Sequence, residues 1–356
     1  MRVMITGGAG FIGSHVCDEL LRVGHVVRVL DNLDPQVHET GRRPAYLADD
    51  VELVVGDVRD RERVDVALSG VDAVIHLAAC VGVGQSMYEI DRYTAVNDHG
   101  TAVLLQALTD RAAGHAVSRL VVASSMSIYG EGLMVDDDGR RHEQVERTVD
   151  QLRLGIWEPV GPSGAPLHPL PTPESKQPTL NSVYALGKYV QERMCLMVGR
   201  AYGIDTVALR LFNVYGTRQA LSNPYTGVLA IFASRLLNGK PPLIFEDGEQ
   251  RRDFVHVRDV ARAFRLALTT DAAVGSALNV ASGESVTIRA LGERLATALN
   301  VAIPPITTGR FRVGDIRHCF ADPARAKQVL EFEARVPAAD GLAELVQWIA
   351  SEAAVD

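Results

Sequence analysis

A tyrosine and a lysine four residues apart are the side chains of this sequence best suited to chemistry. Tyr184 and Lys188 belong to a pattern that predicts a helix, on which they share one face and lie one turn apart. At that spacing we expect the ammonium charge to favour the phenolate and to lower the pKa of Tyr184 from about 10 toward working pH. Such a pair can take a proton from a hydroxyl and return it, which alcohol oxidation by a nicotinamide requires.

The Tyr-x-x-x-Lys spacing alone is weak evidence for this chemistry, because it occurs by chance in many helices. The start of the chain provides the supporting evidence. The apolar run Arg2–Thr6 predicts a buried strand, and Val26–Leu30 predicts a second strand after an intervening helical pattern. Glycines between the first strand and that helix permit a tight turn, close approach of a pyrophosphate and close packing of helix on strand. This order predicts a dinucleotide site, and a glycine-rich loop without a ligand is the less favoured alternative.

Asp31 ends the second predicted strand, where its carboxylate can bind the ribose hydroxyls of adenosine. The same carboxylate would repel a 2′-phosphate, and the neighbouring Asn32 adds no positive charge, so the sequence favours NAD over NADP. The residues predicted to bind NAD are Gly7, Gly10, Phe11, Ile12, Gly13, Asp31, Asn32, Asp57, Val58, Leu77, Ala78, Ala79, Asn97, Tyr184 and Lys188.

Further apolar runs indicate the fold that must position these side chains. Strand patterns recur at 51–55, 73–77 and 120–123, and helical patterns separate them. Alternating strands and helices predict an α/β protein with a Rossmann-type, doubly wound parallel sheet. In such a sheet, ligands bind at the carboxyl ends of the strands.

Composition narrows the class of protein further. The chain has 356 residues, 47% of them hydrophobic, which is enough for a large core, and its formal net charge of −8 argues against nucleic acids and anionic membranes as partners. The four scattered cysteines predict reduced thiols in a cytoplasmic protein, and no apolar run is long enough to span a membrane. His76 and His256 are expected to be structural or to line a pocket, so we predict no metal site.

Several motifs together resemble the extended short-chain dehydrogenase/reductase family, over nearly the whole chain. Besides the glycine loop, the Tyr184/Lys188 pair and Ser124-Ser125, they are Arg210-Leu-Phe-Asn-Val-Tyr-Gly216, Arg252-Asp-Phe-Val-His-Val-Arg-Asp259 and Gly314-Asp-Ile-Arg-His318. The resemblance is to the nucleotide-sugar epimerases and dehydratases, and it implies NAD, a diphosphate-linked sugar and a homodimer. It also implies that Ser125 binds the reacting sugar oxygen, while Ser124 and Ser127 stay open as alternatives.

Two residues favour one reaction within this resemblance. The related 4,6-dehydratases carry an Asp-Glu pair where this chain has Met126 and Ser127, and neither of these can serve as a carboxylate acid or base. The glutamate that related decarboxylases usually carry near the same place is also absent. We therefore predict 4-epimerisation, in which the sugar C4 hydroxyl is oxidised, hydride returns to the opposite face, and Tyr184 both takes and gives back the proton.

Substrate indications come from the segment after the third matched strand and from the arginines. The stretch 81–88, with 171–174, resembles epimerases of thymidine-diphosphate 6-deoxysugars, and an apolar Val83 and Met126 would suit a C6 methyl. Arginine suits bidentate binding of a diphosphate, although each arginine could instead form a structural ion pair. The residues predicted to bind substrate are Val83, Gln85, Ser86, Ser125, Met126, Ser127, Asn213, Arg252 and Arg317. Alternatives are a UDP-hexose or UDP-uronate 4-epimerase, an NDP-4-ketosugar reductase and a catalytically silent dinucleotide sensor.

The domain division follows from the same resemblance. We expect an NAD-binding domain formed by 1–217 and 253–282, and a smaller mixed α/β lobe that binds the nucleotide sugar, formed by 218–252 and 283–356. The insertion 131–173 is predicted to contain a helix through Trp157, followed by a stretch rich in proline that predicts little helix or strand. It is expected to be either a surface loop or a lid over the sugar.

Overall fold

The computed structural model describes residues 1–38, 40–220 and 227–353. Its strands are β1 (Arg2–Thr6), β2 (Val26–Asp31), β3 (Glu52–Val55), β4 (Ala73–His76), β5 (Arg119–Ser125), β6 (Met134–Val135), β7 (Arg141–His142), β8 (His168–Pro169), β9 (Asp205–Leu211), β10 (Asn213–Tyr215), β11 (Leu243–Ile244), β12 (Arg251–His256), β13 (Ala277–Val280), β14 (Ser285–Thr287), β15 (Ile306–Thr307) and β16 (His318–Cys319). Its α-helices are α1 (Phe11–Arg22), α2 (Arg61–Leu68), α3 (Val83–Ser86), α4 (Ile90–Tyr93), α5 (Gly100–Thr109), α6 (Val149–Arg153), α7 (Val183–Tyr202), α8 (Val228–Leu237), α9 (Val257–Thr269), α10 (Ile288–Ala298), α11 (Ala324–Leu330) and α12 (Ala338–Ala353). A π-helical segment, Thr94–His99, joins α4 to α5, and short 3₁₀ turns occur at Arg111–Ala113, Met126–Tyr129 and Asp271–Ala273.

A parallel sheet of seven strands forms the centre of the molecule, in the order β3-β2-β1-β4-β5-β9-β13. The order reverses beside β1, because β2 and β4 pair with its two edges. This arrangement confirms the predicted doubly wound sheet. Its central strands are buried on both faces, which is why they read as nearly continuous apolar runs in the sequence.

Two hydrophobic clusters cover the two faces of this sheet. On one face, Val3 and Ile5 of β1 lie in a cluster that includes side chains of α1 and α9, among them Leu20 and Phe264. On the other face, Met4 belongs to a cluster with residues of α2, α5 and α7. Successive residues of β1 thus point to opposite faces, as strand geometry requires. The two clusters pack helices on both faces of the sheet whose carboxyl edge carries the predicted site.

A separate hydrophobic cluster joins α8, α10 and α12 and includes Leu229, Leu295 and Leu345. Beside it, β12 pairs with β10, β14 and β16 in a small mixed sheet. The three helices, β14 and β16 belong to the predicted second lobe, whereas β10 and most of β12 belong to the predicted NAD-binding domain, and the division stays a prediction. Two segments of that lobe, 221–226 and 354–356, lie outside the described residues.

The insertion 131–173 contains short elements of regular structure. Strands β6, β7 and β8 form a three-stranded antiparallel sheet, and α6 follows Thr148, whose side chain accepts a hydrogen bond from Gln151 N. At the two ends of the insertion, Gly132 N donates to His318 O at 2.6 Å and Thr172 N donates to Phe320 O at 2.8 Å. Each of these strands has two residues and only β8 lies in the proline-rich part, so that part has little helix or strand, as predicted. Backbone groups that pack against the rest of the protein still find hydrogen-bond partners.

Within the described ranges, no helix is long and apolar enough to cross a membrane. The same part of the chain contains no group of three or more His, Cys, Asp or Glu side chains placed to hold a metal ion. All four cysteines are free thiols.

Candidate active site

A cavity of about 520 Å³ opens at the carboxyl ends of the parallel strands. Its wall contains most of the side chains that the sequence predicts to act. These are Gly7, Gly10, Phe11, Ile12, Gly13, Asp31, Asn32, Asp57, Val58, Leu77, Ala78, Ala79, Gln85, Ser125, Tyr184, Lys188 and Asn213. The other predicted site residues lie elsewhere: Asn97, Val83, Ser86, Met126, Ser127, Arg252 and Arg317 are not part of this wall.

The loop between β1 and α1 fits the pyrophosphate of a dinucleotide. A Cβ on Gly7 would lie 2.8 Å from Ala78 N, and one on Gly13 would lie 2.3 Å from Gly7 O, so neither position has room for a side chain. Gly7 also has a φ of 70°, which favours glycine. Gly10 caps α1 without a side-chain hydrogen bond, which leaves amides at this helix end for an anion.

Asp31 connects this loop to the end of β2. Its Oδ2 accepts a hydrogen bond from Ala9 N at 3.0 Å, and its Oδ1 accepts one from Leu33 N at 2.9 Å. Burial raises the pKa of Asp31, while the Leu33 hydrogen bond and nearby His38 act in the opposite direction. Each carboxylate oxygen keeps a second acceptor site, so the side chain can still bind a ribose hydroxyl.

Helix α7 presents Tyr184 to the cavity beside Ser125. The helix begins after Ser182, whose hydroxyl accepts a hydrogen bond from Ala185 N at 3.1 Å. Ser125 lies at the end of β5 and hydrogen-bonds to the Tyr184 hydroxyl. Ser127 donates to Ser125 Oγ from its own Oγ at 2.9 Å and from its N at 3.1 Å. Because Ser125 Oγ already accepts these two bonds, its own hydrogen is free to point at Tyr184.

Ser124, the alternative to Ser125, also lines the cavity, but its hydroxyl is engaged by another side chain. Its Oγ donates to Glu192 Oε2 at 2.7 Å, and Glu192 in turn binds Arg210 through both carboxylate oxygens. Among the three neighbouring serines, Ser125 therefore contacts Tyr184 and Ser127 supports Ser125.

The expected lowering of the Tyr184 pKa is wrong for this structure. Burial raises that pKa, and the hydrogen bond from Ser125 acts against the rise. The Lys188 ammonium donates instead to Gln191 Oε1 at 2.8 Å, and burial lowers the pKa of Lys188 to about 8. The sequence showed the spacing of the pair but not the burial of Lys188 or the partial burial of Tyr184.

Asn97 does not line the cavity but binds the backbone of Cys80, which does. Its Oδ1 accepts a hydrogen bond from Cys80 N at 2.8 Å, and its Nδ2 donates to Cys80 O at 3.1 Å. Asn97 lies in the π-helical segment, which turns its side chain toward the backbone that follows β4. Direct contact of Asn97 with NAD stays a prediction.

Arg317 is buried among three carboxylates, of which Glu246 is buried and Glu158 and Asp247 are partly exposed. Its side chain is 1% exposed and bonds to Asp247 at 2.6 Å, to Glu246 at 3.0 Å and to Glu158. These partners come from distant parts of the chain, so the sequence motif could not reveal them. Of the two roles considered for this arginine, the geometry favours the structural ion pair, and diphosphate binding stays a prediction.

Arg252 is also engaged by neighbouring groups. Its guanidinium donates to Arg317 O at 3.0 Å, to Arg251 O at 2.9 Å and to Ile316 O. It is therefore held by backbone carbonyls of the segment that leads into β16.

The remaining predicted sugar-binding residues are divided between surface and interior. Val83 is exposed, whereas Ser86 is buried and donates from Oγ to Val83 O at 2.7 Å. Gln85 lines the cavity and donates to Glu89 at 2.9 Å. Met126 belongs to an apolar cluster with Tyr129 and other side chains. A contact of Val83 or Met126 with a C6 methyl thus has no support from the cavity wall.

Sequence reasoning missed Arg92, a charged residue of the cavity wall. Its guanidinium pairs with Asp34 and Glu89, each at 2.9 Å. No motif indicates it, because its partners lie on the loop after β2 and at the start of α4. The one signal in the sequence is an arginine three residues after a glutamate, which is common on helix surfaces.

Comparisons with known proteins agree with this geometry. The sequence model of the NAD dependent epimerase/dehydratase family matches residues 3–150 and 160–281, which is well over half of the chain. The chain is 36% identical over 354 residues to a dTDP-L-rhamnose 4-epimerase of Burkholderia thailandensis, covering 99% of this chain and 95% of that protein.

Two solved structures resemble the whole chain. UDP-glucose 4-epimerase of Thermotoga maritima with UDP-glucose has a TM-score of 0.80 at 29% identity, and the similarity covers 99% of this chain and 100% of that one. UDP-glucose 4-epimerase of Thermus thermophilus in complex with NAD has a TM-score of 0.75 at 32% identity, covering 98% and 99%.

Proposed function

Because this chain belongs to the NAD-dependent epimerase/dehydratase family, we propose that it is a nucleotide-sugar 4-epimerase acting on a dTDP-linked 6-deoxyhexose. The chain is an enzyme of the epimerase type, and its cofactor is NAD. One observation carries the choice of reaction: the residues that follow Ser125, namely Met126 and Ser127, provide no carboxylate beside Tyr184.

The proposed chemistry uses three side chains of the cavity, Ser125, Tyr184 and Lys188. Bound NAD would supply an acceptor and donor of hydride for the sugar C4, and its oxidised nicotinamide ring would add a positive charge to the site. Ser125 donates a hydrogen bond at the reacting oxygen and Tyr184 takes the hydroxyl proton, which leaves a 4-keto sugar. After the sugar has turned, Tyr184 gives the proton back.

Charge near Tyr184 decides whether it can act as a base. Burial raises its pKa, so in the absence of other charges Tyr184 holds its proton. The Lys188 ammonium, one helical turn away, favours the phenolate and offsets part of that effect. We therefore assign Lys188 the electrostatic role and Tyr184 the proton transfer.

Dehydration would need a second acid and base, and the neighbouring residues are not suited to supply one. Ser127 is bound to Ser125, and Met126 packs in an apolar cluster. Neither side chain can exchange a proton near neutral pH. Return of the hydride is thus the outcome that these residues leave open to a 4-keto sugar.

The sugar nucleotide is the finer part of the proposal. Similarity to the Burkholderia thailandensis dTDP-L-rhamnose 4-epimerase along nearly the full length supports a dTDP-6-deoxyhexose. The second candidate is a UDP-hexose or UDP-uronate, which the Thermotoga maritima structure with UDP-glucose supports. A 4-ketosugar reductase and a silent sensor have no such support.

Two further properties belong to this proposal. We infer a homodimer through the face of α7 that exposes Leu186 and Met197, and a cytoplasmic location in which the four cysteines stay reduced. The homodimer rests on the resemblance to the family and is tested by the mass of the protein in solution. A monomer at micromolar concentration would contradict it.

Replacement of Tyr184 by Phe tests the reaction. We expect Tyr184→Phe to abolish inversion at C4 while NAD still binds, because the ring remains and the proton carrier is lost. Tyr189→Phe is the matched control, since Tyr189 lies on the same helix and packs in the neighbouring apolar cluster. Full activity of Tyr184→Phe would sink the proposed function.

A further inference from the structure

A chain of buried polar side chains runs from Lys188 to the base of the glycine loop. It consists of Lys188, Gln191, Thr101, His76 and Thr6, each at most 3% exposed. Lys188 Nζ donates to Gln191 Oε1 at 2.8 Å, and Gln191 Nε2 donates to Thr101 Oγ1 at 2.8 Å. His76 bridges Thr101 and Thr6 at 2.9 and 2.7 Å. The function proposed above assigns no role to the three middle members.

The bond from Thr101 to Asn97 O indicates how the hydrogens of this chain are arranged. Thr101 has a single hydroxyl hydrogen and donates it to Asn97 O at 2.5 Å, so its oxygen must accept from both Gln191 and His76. His76 therefore carries its hydrogen on Nε2, and its Nδ1 accepts from Thr6. Burial keeps this histidine neutral, with its pKa lowered to about 3.

This arrangement fixes the orientation of the Gln191 amide. If the amide were reversed, its NH₂ group would face the Lys188 ammonium and its oxygen would face Thr101 Oγ1, which has no hydrogen left to give. Both contacts would be unfavourable in a buried site. Gln191 Oε1 is thus held toward Lys188 by Thr101, which lies 90 positions away in the sequence and accepts from Gln191 Nε2.

The far end of the chain supports the cavity wall. Thr6 Oγ1 accepts hydrogen bonds from Leu77 N and Ala78 N, each at 3.2 Å. Leu77 and Ala78 line the cavity, and Ala78 is the residue against which Gly7 packs. The same chain therefore connects the ammonium to the backbone that shapes the cofactor site.

We propose that Gln191 is a positioning residue for Lys188, held in place by Thr101, His76 and Thr6. The inference rests on the proposed function for its effect on rate, and on geometry alone for its effect on the lysine. Gln191 lies outside the Tyr-x-x-x-Lys spacing, so nothing in that motif marks it. Its acceptor oxygen favours the ammonium form that burial disfavours.

A double-mutant cycle separates positioning from simple structural support. Gln191→Met keeps the length of the side chain and removes the acceptor. We expect it to lower kcat by about 10-fold or more with KM changed less than about 3-fold, as for a lost hydrogen bond to a charged group. In a Lys188→Ala background the same replacement should change the rate less than about 2-fold. An equal loss in both backgrounds would overturn the inference.

Titration of the lysine provides a readout that needs no activity. The Lys188 ammonium can be followed by ¹⁵N NMR in lysine-labelled protein and assigned with Lys188→Ala. Gln191→Met should move its titration midpoint to lower pH, and an unchanged midpoint would contradict positioning. The surrounding titratable groups stay the same in both proteins: Tyr184, Glu192 and Cys195 on α7, His76 on β4, and Asp98 on the π-helical segment.

Gln106 offers a matched control for Gln191. Gln106→Met, on the exposed face of α5, makes the same chemical change away from Lys188 and should leave both rate and midpoint as they are. If the unaltered enzyme inverts C4 of no nucleotide sugar, the proposed function fails, while the midpoint still decides the role of Gln191.

Discussion

At the scale of single residues, the chemistry depends on how burial and hydrogen bonds set the charge of Tyr184 and Lys188. Burial disfavours the phenolate and the ammonium alike, so each group needs a local partner. Ser125 hydrogen-bonds to Tyr184, and Gln191 accepts a hydrogen bond from the Lys188 ammonium. Proton transfer at this site is therefore a property of four side chains, of which Tyr184 and Lys188 form the obvious pair.

The pH dependence of the rate should report Lys188. Its pKa in the folded protein is about 8, so the ammonium is present below that pH and is lost as the pH rises through it. Since the charge favours the phenolate, we expect kcat to decline above about pH 8. A pH–rate profile of the enzyme and of Lys188→Ala measures this, and the decline should be absent from the variant. The same decline in Lys188→Ala would contradict the assignment.

Ser127 should support catalysis indirectly. Ser127→Ala removes the hydroxyl that donates to Ser125 but keeps the backbone N–H, so we expect a loss in kcat of about 3- to 10-fold. Ser125→Ala removes the bond to Tyr184 itself and should cost about 100-fold. Steady-state rates compare the two, and an equal loss would show that Ser127 also contacts the substrate.

At the scale of elements, the loop between β1 and α1 and the insertion 131–173 have different structural roles. The loop must bring backbone close to a pyrophosphate, and its glycines are required by contacts within the protein itself. The insertion is joined to the second lobe by the ion pairs of Glu158 with Arg317 and of Arg147 with Glu246, and Arg147 also pairs with Glu131 inside the insertion. This buried network makes the insertion part of the folded body and favours neither a free surface loop nor a freely moving lid.

Two glycines of the loop should differ in what they tolerate. A Cβ on Gly13 would overlap Gly7 O, so Gly13→Ala should cost about 1–3 kcal/mol of stability and most of the bound NAD. A Cβ on Gly10 meets nothing closer than 3.5 Å, so Gly10→Ala should fold normally. Denaturant unfolding and NAD content measure both effects. Equal stability of the two variants would contradict the geometry of the loop.

Arg317 distinguishes a structural role from phosphate binding. Removing one partner of a buried ion pair leaves uncompensated charge, so Arg317→Ala should lose about 3–5 kcal/mol of unfolding free energy. Arg294→Ala, at an exposed pair with Glu284, should lose less than about 1 kcal/mol. A rise in KM at unchanged stability would instead restore the diphosphate role predicted from the motif.

The sequence was sufficient to predict side chains that share the cavity wall where their placement depends on local order along the chain. The glycine loop, Asp31 and the Tyr184/Lys188 pair follow from spacing and from the alternation of strands and helices. What it missed depends on contacts between distant segments: the carboxylates around Arg317, the backbone partners of Arg252, and Gln191 with its support from His76. The predicted shift of the Tyr184 pKa was in the wrong direction for the same reason, because spacing does not reveal depth of burial.

At the scale of the whole molecule, the fold places one cavity between the carboxyl edge of the parallel sheet and the start of the second lobe. The cavity wall includes Gly10 and Asp31 on the cofactor side and reaches Asn213, Val228 and Phe254. A cofactor bound along the first part leaves the second part for a sugar nucleotide. We infer that NAD stays in place through the cycle, since the proposed reaction involves no net redox change.

Inversion at C4 without added NAD is the measurement that tests this account most directly. The purified protein would be incubated with dTDP- and UDP-linked hexoses and 6-deoxyhexoses, and the products read by NMR, with NADH absorbance followed in parallel. We predict a mixture of the two C4 epimers, formed from a dTDP-6-deoxyhexose faster than from UDP-sugars, with no accumulation of NADH. Formation of a 4-keto-6-deoxy product, or stoichiometric NADH in place of inversion, would contradict it.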